Sequence, residues 1–346
     1  MPLQLGVIDC SIMRCFGQNY QRVLCSSTTI CSACAVFFFM TIIYFYRSNI
    51  YGLTYNSNML LGNVSNRYLC PYFRGGLGNH MFMYSSLYGI SKIKHMTLVI
   101  DEKDTINTVF KLNVLILNNA KYICEQAVLV NEKRPCAYDL ETFNFDPSKP
   151  VKLKGYLQSW KYFKHVEKEL RKQFIFKEEV NQKAQEVIEK YTKMFTSNKT
   201  NSEKLKIIGV HIRRGDYLTA HNIKYGYNVA PKEYLQKAFD YFRSKYKNCL
   251  FLVFTGTSKE DIKWRDDNVH GKDVLKVAAN ERNVDMCALT KCDHTIITVG
   301  SFGWWSAWLS TGTTIYFKDI AQTNSSLRKD FSEDMTDFFP DDWIGL

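Results

Sequence analysis

The sequence has none of the short motifs that mark the best-known phosphate and zinc sites. It contains no G-x-x-x-x-G-K-[ST] loop and no G-x-G-x-x-G turn, which excludes a P-loop and a dinucleotide fingerprint. Cys287 and Cys292 have no second cysteine pair at metal-ligand spacing, so we reject a structural zinc site. A basic tail is also missing, because the net charge of +11 is spread over lysines along most of the 346 residues. That distribution favours a small anionic substrate over nucleic acid as the binding partner.

Charged residues are also missing from residues 23–46, and the second half of this segment is strongly apolar. The segment is long enough to cross a bilayer. It is longer than the apolar core of a typical signal peptide, so a retained anchor is favoured over a cleaved signal. The flanking arginines favour a cytoplasmic amino terminus. We therefore predict a cytoplasmic tail, one transmembrane signal-anchor and a polar stem at residues 1–22, 23–46 and 47–66.

Residues that suit an oxidising, glycosylating lumen lie after the apolar segment. Three N-x-[ST] sequons begin at Asn63, Asn198 and Asn324, and each predicts a glycosylation site on the surface. The cysteines of this part are Cys70, Cys124, Cys136, Cys249, Cys287 and Cys292. Their even number is compatible with disulfides, but their spacing leaves the pairing open.

Strand-like and helix-like segments alternate after the stem, as they do in α/β proteins. A strand, a glycine-rich turn, a helix and a second strand follow one another within residues 68–100. A polar stretch at 195–204 separates this unit from a second series, whose strands we predict at 206–212, 250–254, 294–299 and 313–317. The pattern predicts two Rossmann-like domains facing a cleft, at residues 67–204 and 205–346.

The first strand of the second series runs straight into Arg213, Arg214, Gly215 and Asp216. Ligands bind at the carboxyl ends of the strands in open α/β sheets, which is where this strand delivers both arginines. A guanidinium fork can bind two phosphate oxygens at once. The pattern therefore predicts a phosphate site, with a solvated surface loop as the alternative.

Two glycine turns that precede helices are the second chemical feature. Gly76 and Gly78 let backbone N–H groups approach a bound group closely, and Asn79 is placed to orient a hydroxyl or an anion there. In the other turn Ser301 follows Gly300, where it can cap a helix or donate to phosphate. Plain turn geometry is the alternative for both turns. The tryptophans after the second turn are favoured as core residues.

Together these motifs resemble those of the α-1,2-fucosyltransferases. The matching segments are GGLGNHMF (75–82), GYLQSWKYF (155–163), GVHIRRGDY (209–217) and CDHTIITVGSFGWW (292–305). They follow the order of that family over most of the chain after the apolar segment, and the last two are the specific ones. The chain departs from the family pattern at His80, where a glutamine is usual, and at residues 256–258, which replace a more acidic turn.

The resemblance implies a single-pass type II Golgi membrane enzyme with a GT-B-like fold and a lumenal catalytic domain. Such an enzyme transfers L-fucose from GDP-β-L-fucose, with inversion, to a galactose-containing glycan, most simply at the galactose 2-hydroxyl. Residues 67–204 would form the acceptor side and 205–346 the donor side. Neither a cofactor nor a metal is expected, and the sequence has no Asp-x-Asp motif of the kind that holds a divalent cation in another glycosyltransferase fold. The alternatives are a fucosyltransferase of another linkage or of proteins, and a catalytically silent anchored lectin or chaperone.

The resemblance also implies roles for residues outside the arginine turn. Ser301 and Phe302 would support the diphosphate and the fucose, and Asn79 would lie near the reacting centre. Asp285 and His294 are the candidates for holding the nucleotide.

Cleavage of the donor bond places negative charge on the departing diphosphate, which Arg213 and Arg214 are suited to stabilise. The proton acceptor stays open between His211 and Asp216, which flank the arginines. Asp216 is equally suited to be a salt-bridge partner of the arginine turn, and a dissociative reaction needs no strong base.

Overall fold

The computed structural model describes residues 67–197 and 203–346. The predicted tail, signal-anchor and stem, and the sequons at Asn63 and Asn198, lie outside the described residues. Within the described ranges, no helix combines the length and the apolar character that a membrane span requires. The described residues form an α/β structure with two parallel sheets, as the alternation of strands and helices predicts.

The first sheet lies entirely before the predicted domain boundary. Its strands are β1 (Tyr68–Pro71), β2 (Thr97–Asp101), β3 (Leu115–Leu117), β4 (Val128–Asn131) and β5 (Val151–Lys154). They pair in parallel in the order β3-β2-β1-β5-β4. In the central strand β1, Leu69 is paired with Leu98 on one side and with Val151 on the other.

The second sheet lies entirely after the boundary. Its strands are β6 (Lys206–Ile212), β7 (Cys249–Thr255), β8 (Val274–Lys276), β9 (His294–Ile297), β10 (Thr314–Tyr316) and β11 (Ile344–Gly345). The order is β11-β10-β9-β6-β7-β8, and every pairing is parallel. The predicted arginine strand is confirmed as β6, a central strand. The strand predicted at 294–299 ends two residues earlier, at Ile297, and the Arg213 N–H group of the neighbouring chain segment donates to the Thr298 hydroxyl.

The α-helices connect the strands and cover the sheets. Their bounds are α1 (Leu77–Lys94), α2 (Thr105–Val109), α3 (Lys121–Cys124), α4 (Glu167–Gln173), α5 (Glu178–Thr196), α6 (Ala220–Tyr225), α7 (Lys232–Lys245), α8 (Lys259–Asn268), α9 (Arg282–Thr290), α10 (Ser301–Leu309) and α11 (Ser326–Lys329). Four short 3-10 helices lie at Leu140–Phe143, Trp160–Tyr162, Lys164–Val166 and Gly215–Leu218.

One hydrophobic core runs through both sheets. Trp304 and Trp305 of α10 are 1% and 0% exposed, which confirms the prediction that they are core residues. Their rings lie 4.5 and 5.1 Å from the Phe82 ring of α1, so the helices after the two glycine turns pack against each other. α5, which precedes the predicted boundary, packs against α9, which follows it. The location of a domain boundary near residue 204 stays a prediction.

The cysteines of the described ranges form one disulfide. Cys70 in β1 is bonded to Cys124 at the end of α3. The other four described cysteines, Cys136, Cys249, Cys287 and Cys292, are free and buried. The bridge ties the central strand of the first sheet to a short helix near its edge.

Candidate active site

The two glycine turns meet at the carboxyl ends of the two sheets. The Ser301 hydroxyl donates a hydrogen bond of 2.6 Å to Asn79 Oδ1, although the two residues are 222 positions apart. Gly78 lies against the backbone of Ser301 and Phe302, where an added Cβ would be 2.6 Å from the Ser301 carbonyl carbon. Gln158 Nε2 donates to the same Asn79 oxygen at 2.9 Å. Since α1 and α10 follow β1 and β9, this contact joins the ligand-binding edges of both sheets.

The arginine turn, which follows β6, lies beside the Gly300 turn. The Arg213 N–H group donates to Thr298 Oγ1 at 2.9 Å. Gly300 has a φ of 101°, and an added Cβ there would lie 3.0 Å from the Tyr217 hydroxyl oxygen. Glycine is therefore needed at this position for both conformation and space. The structure thus brings the arginine turn and the two glycine turns together, as the sequence predicts.

Arg213 forms an ion pair with Asp216. Its Nη2 and Nε atoms lie 2.6 and 3.1 Å from Asp216 Oδ1. The side chains are 39% and 58% exposed, so water competes for both and the pair contributes at most about 1 kcal/mol. A diphosphate offers a guanidinium more charged oxygens than this single carboxylate oxygen does. Asp216 therefore holds Arg213 at the edge of the sheet, and a diphosphate could displace the Asp216 carboxylate from the guanidinium.

Arg214 is held more firmly than its neighbour. Its guanidinium carbon lies 4.0 Å from the centre of the Trp264 ring, and Nη1 donates to the Ala230 carbonyl at 3.1 Å. Asp261 accepts a 2.8 Å hydrogen bond from the Gly215 N–H group, which fixes the turn itself. Burial lowers the pKa of Arg214, and the Asp261 carboxylate opposes that shift. The guanidinium remains charged at neutral pH, because its ordinary pKa is so high.

His211 lies in β6 behind the arginine turn. Its ring is 5.0 Å from the Phe302 ring, and its Nδ1 atom is buried with no hydrogen-bond partner in the described ranges. Burial, assisted by the charge of Arg213, lowers the pKa of His211 to about 3. The imidazole is therefore neutral and a poor proton acceptor near neutral pH. The structure places it where it supports Phe302.

A cavity of about 160 Å³ opens at the carboxyl ends of β7 and β8. Thr255, Gly256, Ala278 and Asp285 are among the residues that line it. Asp285 lies in the first turn of α9 and accepts a 2.8 Å hydrogen bond from Asn280 Nδ2. Burial raises the pKa of Asp285, while the bonds from Asn280 act against the rise. The cavity therefore presents a buried carboxylate at the same edge of the sheet as the arginines.

His294 lies away from these residues. It is the first residue of β9, whereas Ser301 follows the carboxyl end of the same strand. Its ring is stacked at 5.2 Å on Phe242 and at 5.0 Å on Tyr246, and Nδ1 accepts from the Thr313 N–H group at 3.0 Å. The structure does not bring His294 to the predicted nucleotide site, because the strand separates them.

Two further predicted residues lie on the surface. Gly76 is exposed, and its carbonyl accepts from the N–H groups of Asn79 and His80, which begins α1. Asn324 lies in the segment before α11 with a left-handed φ of 62°. It is exposed, so its side chain is accessible for glycosylation.

A group of residues at the edge of the first sheet was not predicted from the sequence. Glu132 follows β4, and its Oε2 atom accepts from the N–H groups of Tyr156 and Leu157 at 2.8 and 3.0 Å. Burial raises the pKa of Glu132 to about 7, against the effect of those two bonds. The Arg74 guanidinium lies 3.9 Å from the centre of the Tyr156 ring. The family match at 155–163 is the one signal that pointed to this region.

Comparison with known families identifies the chain as a glycosyltransferase. Residues 62–346 match the model of Glycosyl transferase family 11, and the chain belongs to that family. Galactoside alpha-(1,2)-fucosyltransferase 2 of Bos taurus is 30% identical over 281 residues, which cover 79% of this chain and 77% of the relative. Galactoside 2-alpha-L-fucosyltransferase SEC1 of Bos taurus is 28% identical over 282 residues, with 79% and 72% covered. The chain is therefore a fucosyltransferase.

Solved fucosyltransferase structures are similar at a lower level. NodZ alpha-1,6-fucosyltransferase soaked with GDP-fucose has a TM-score of 0.46 and 15% identity, with 73% of this chain and 95% of that chain covered. POFUT1 in complex with GDP-fucose has a TM-score of 0.47 and 8% identity, with 73% and 99% covered. These scores are too low for residue roles to be transferred, so the roles below rest on the contacts of this chain.

Proposed function

We propose that this enzyme transfers L-fucose from GDP-β-L-fucose to the 2-hydroxyl of a galactose in a glycan, with inversion and without a required metal. The hydrogen bond between Ser301 and Asn79 carries the proposal, because it joins the edges of the two sheets beside the arginine turn. The relatives are named as galactoside 2-alpha-L- or alpha-(1,2)-fucosyltransferases, which supports the acceptor and the linkage. We further propose that the sheets belong to two Rossmann-like lobes of a GT-B-like enzyme, with the acceptor on the side of the first sheet.

The donor nucleoside fits the cavity that contains Asp285. Guanine presents two adjacent N–H donors, on N1 and on the 2-amino group, and a carboxylate can accept both of them. Asn280 already holds one carboxylate oxygen of Asp285 at 2.8 Å, which fixes its orientation. The cavity lies at the carboxyl edge of the sheet that carries Arg213. A nucleoside bound there would direct its diphosphate along that edge.

The diphosphate fits the arginine and Gly300 turns. Arg213 can exchange Asp216 for phosphate oxygens, and Arg214 adds a second fixed positive charge. Ser301 opens α10, whose first N–H groups suit an anion, while its hydroxyl donates to Asn79. These groups are already in place before the bond breaks, so little reorganisation is needed as charge develops.

In the proposed reaction, the bond between the fucose anomeric carbon and the β-phosphate oxygen breaks, and its electron pair leaves with GDP. The acceptor oxygen forms the new bond from the opposite face, which inverts the anomeric configuration. We assign no strong base: His211 is neutral and buried with a pKa of about 3, and we assign Asp216 the role of holding Arg213 until the diphosphate binds. The hydroxyl proton then passes to the departing diphosphate or to water.

We also propose that the enzyme is a single-pass type II protein of the Golgi membrane with its catalytic part in the lumen. The uncharged segment at 23–46 supports the anchor. The disulfide between Cys70 and Cys124 supports an oxidising compartment. Asn63, Asn198 and Asn324 would carry the glycans on that side. Digestion of the mature protein with an N-glycosidase, followed by a mobility shift, tests this topology.

A transfer assay tests the reaction. The full chain, purified in detergent, is incubated with GDP-fucose, other GDP-sugars and UDP-galactose, and with galactosides, galactose-free glycans and peptides. We expect a product from GDP-fucose and galactosides alone, with an α-1,2 linkage by NMR and an unchanged rate in a metal chelator. A product with another linkage or on peptide would select the corresponding alternative fucosyltransferase. A wild-type chain that neither transfers nor hydrolyses any donor would be the silent lectin or chaperone.

A further inference from the structure

Glu132 is a buried carboxylate that the proposed reaction does not use. It follows β4, and its N–H group donates to the Lys154 carbonyl at 2.9 Å, which extends the pairing of β4 with β5. Its side chain then reaches the backbone just beyond β5, where Oε2 accepts from Tyr156 N–H at 2.8 Å and from Leu157 N–H at 3.0 Å. Gly155 leaves no room for a Cβ beside this carboxylate. The Glu132 carboxylate therefore packs closely against the turn at residues 155–157.

The turn that Glu132 holds has an unfavourable backbone conformation. Leu157 has a φ of 50°, a left-handed value that side chains other than glycine rarely adopt, and it is 1% exposed. Its carbonyl accepts a 2.8 Å hydrogen bond from the Ser86 hydroxyl of α1. Such a conformation persists only where the surroundings fix it, and it is typical of functional sites. Glu132 on the N–H side and Ser86 on the carbonyl side supply those constraints.

The next residue carries this constraint to the candidate active site. Gln158 Nε2 donates to Asn79 Oδ1 at 2.9 Å, and Ser301 donates to the same oxygen at 2.6 Å. Cys136 Sγ lies 3.5 Å from Gln158 Oε1, which sets the orientation of the amide. Both bonds fall on the oxygen of Asn79, and its Nδ2 group makes no hydrogen bond to the described residues. That N–H₂ group is therefore oriented and free to donate.

We propose that Glu132 is a positioning residue: it holds the turn that places Gln158, and Gln158 orients the Asn79 amide toward the reacting sugar or the departing diphosphate. The inference rests on the proposed function, because it assumes that Asn79 lies at the reacting centre. Glu132 itself contacts no substrate in this assignment. If Glu132 loses its contacts, Gln158 shifts and the Nδ2 donor of Asn79 is misplaced. Small displacements of this kind affect turnover more than binding.

The ionisation of Glu132 provides a readout that a purely structural residue would lack. The charged groups that act on it are Arg74 after β1 and Asp139 after β4. Glu132 in turn raises the pKa of Cys136 after β4 and of Tyr162 in the 3-10 helix at Trp160–Tyr162. Arg74 favours the charged form and Asp139 opposes it, while burial raises the pKa of Glu132 to about 7. The charged carboxylate accepts the two backbone bonds more strongly than the neutral acid. Turnover should therefore fall as the pH falls through about 7.

The test compares Glu132→Ala and Glu132→Gln with Glu141→Gln, a control at an exposed carboxylate of the same part of the chain. The full chain is assayed for kcat and for both KM values between pH 5.5 and 9, and GDP binding is measured by calorimetry. We expect Glu132→Ala to lower kcat roughly 10- to 100-fold with little change in GDP affinity. Glu132→Gln is neutral at every pH, like the protonated carboxyl group, but it keeps an accepting oxygen. Its turnover should therefore lack the acid limb, match that of the wild type at low pH and exceed that of Glu132→Ala. The control should match the wild type.

Four results would overturn the inference. Unchanged turnover in a folded Glu132→Ala variant would show that Asn79 needs no such support. Equal losses in the Ala and Gln variants would indicate that the charge itself acts in the reaction. A loss confined to the KM of the acceptor would make Glu132 a substrate contact. An acid limb that survives in Glu132→Gln would belong to another group. A wild-type chain inactive with GDP-fucose would instead defeat the proposed function, whereas these outcomes require an active wild type.

Discussion

The two sheets present different chemistry at the edges that meet. The second sheet presents positive charge, from Arg213 and Arg214, beside the opening turn of α10. The first sheet presents amide groups, from Asn79 and Gln158, supported by the buried carboxylate of Glu132. Neutral donors and acceptors suit the hydroxyl groups of a sugar, whereas guanidinium groups suit a diphosphate. The difference supports the proposed division of roles, in which the second sheet's edge meets the leaving group and the first sheet's edge helps to orient the reacting groups.

The same contrast recurs within the arginine pair. Arg213 is held by one exposed carboxylate, and its side chain is 39% exposed. Arg214 is stacked on Trp264 and bonded to the Ala230 carbonyl. The Arg213 guanidinium can therefore move onto a ligand, whereas the Arg214 guanidinium is fixed in place. Substitutions that separate these two roles give the sharpest tests of the division between the edges.

Replacement of Arg213 by alanine should have the largest effect. The variant loses the mobile guanidinium that meets the charge developing on the diphosphate, so kcat/KM should fall roughly a thousandfold. Initial rates with GDP-fucose measure the loss, and circular dichroism checks the fold. Lys237→Ala removes an exposed cation of helix α7, in the same half of the chain, and serves as the control. If Arg213→Ala and Lys237→Ala turn over alike, the positive edge has no part in the reaction.

Arg214→Ala should cost less in rate and more in stability. The fixed charge acts on the same leaving group but does not move onto it, so we expect a smaller loss of roughly a hundredfold. Loss of the contact with Trp264 should also lower the melting temperature, unlike the change at Arg213. Thermal unfolding and steady-state rates measured on both variants separate the roles. Equal losses of rate with equal stabilities would remove the distinction between the two arginines.

Much of the second sheet's edge could be predicted, because its residues are consecutive in the sequence. Residues 206–217 contain the strand and the turn together, and strand direction alone places Arg213 at the carboxyl end. The same logic places His294, as the first residue of a strand, at the opposite end from Ser301. Its assignment to the nucleotide followed the family resemblance and not the direction of the strand. Strand direction and the family resemblance thus give different placements for this residue.

The edge of the first sheet could not be predicted, because its parts come from separate short segments. Glu132 follows a four-residue strand with an exposed surface, which gives no apolar pattern to recognise. The turn that Glu132 holds contains Leu157 in a left-handed conformation, which the residue types of this segment do not predict. The contact between Asn79 and Ser301 spans 222 residues and follows from packing of α1 on α10. Only the folded chain brings these groups together.

Asp285→Ala should weaken donor binding and leave turnover at saturation nearly intact. The carboxylate is assigned to the two N–H donors of guanine, so its loss should raise the donor KM roughly 10- to 100-fold. Calorimetry with GDP and with inosine diphosphate, which lacks the 2-amino group, tests the assignment. The wild type should prefer GDP, and the variant should not. If the variant still prefers GDP over inosine diphosphate, the guanine base binds outside the cavity.

Asp216→Asn should have the smallest effect, and it separates the two roles that the sequence left open. As an exposed partner of Arg213, Asp216 contributes about 1 kcal/mol or less, so kcat should change by no more than roughly fivefold. The donor KM should fall slightly, because Arg213 no longer has to leave a carboxylate. A general base would instead show a loss of about a hundredfold or more and a missing acid limb. A pH–rate profile of this variant therefore decides whether the second sheet's edge supplies only cations, or a proton acceptor as well.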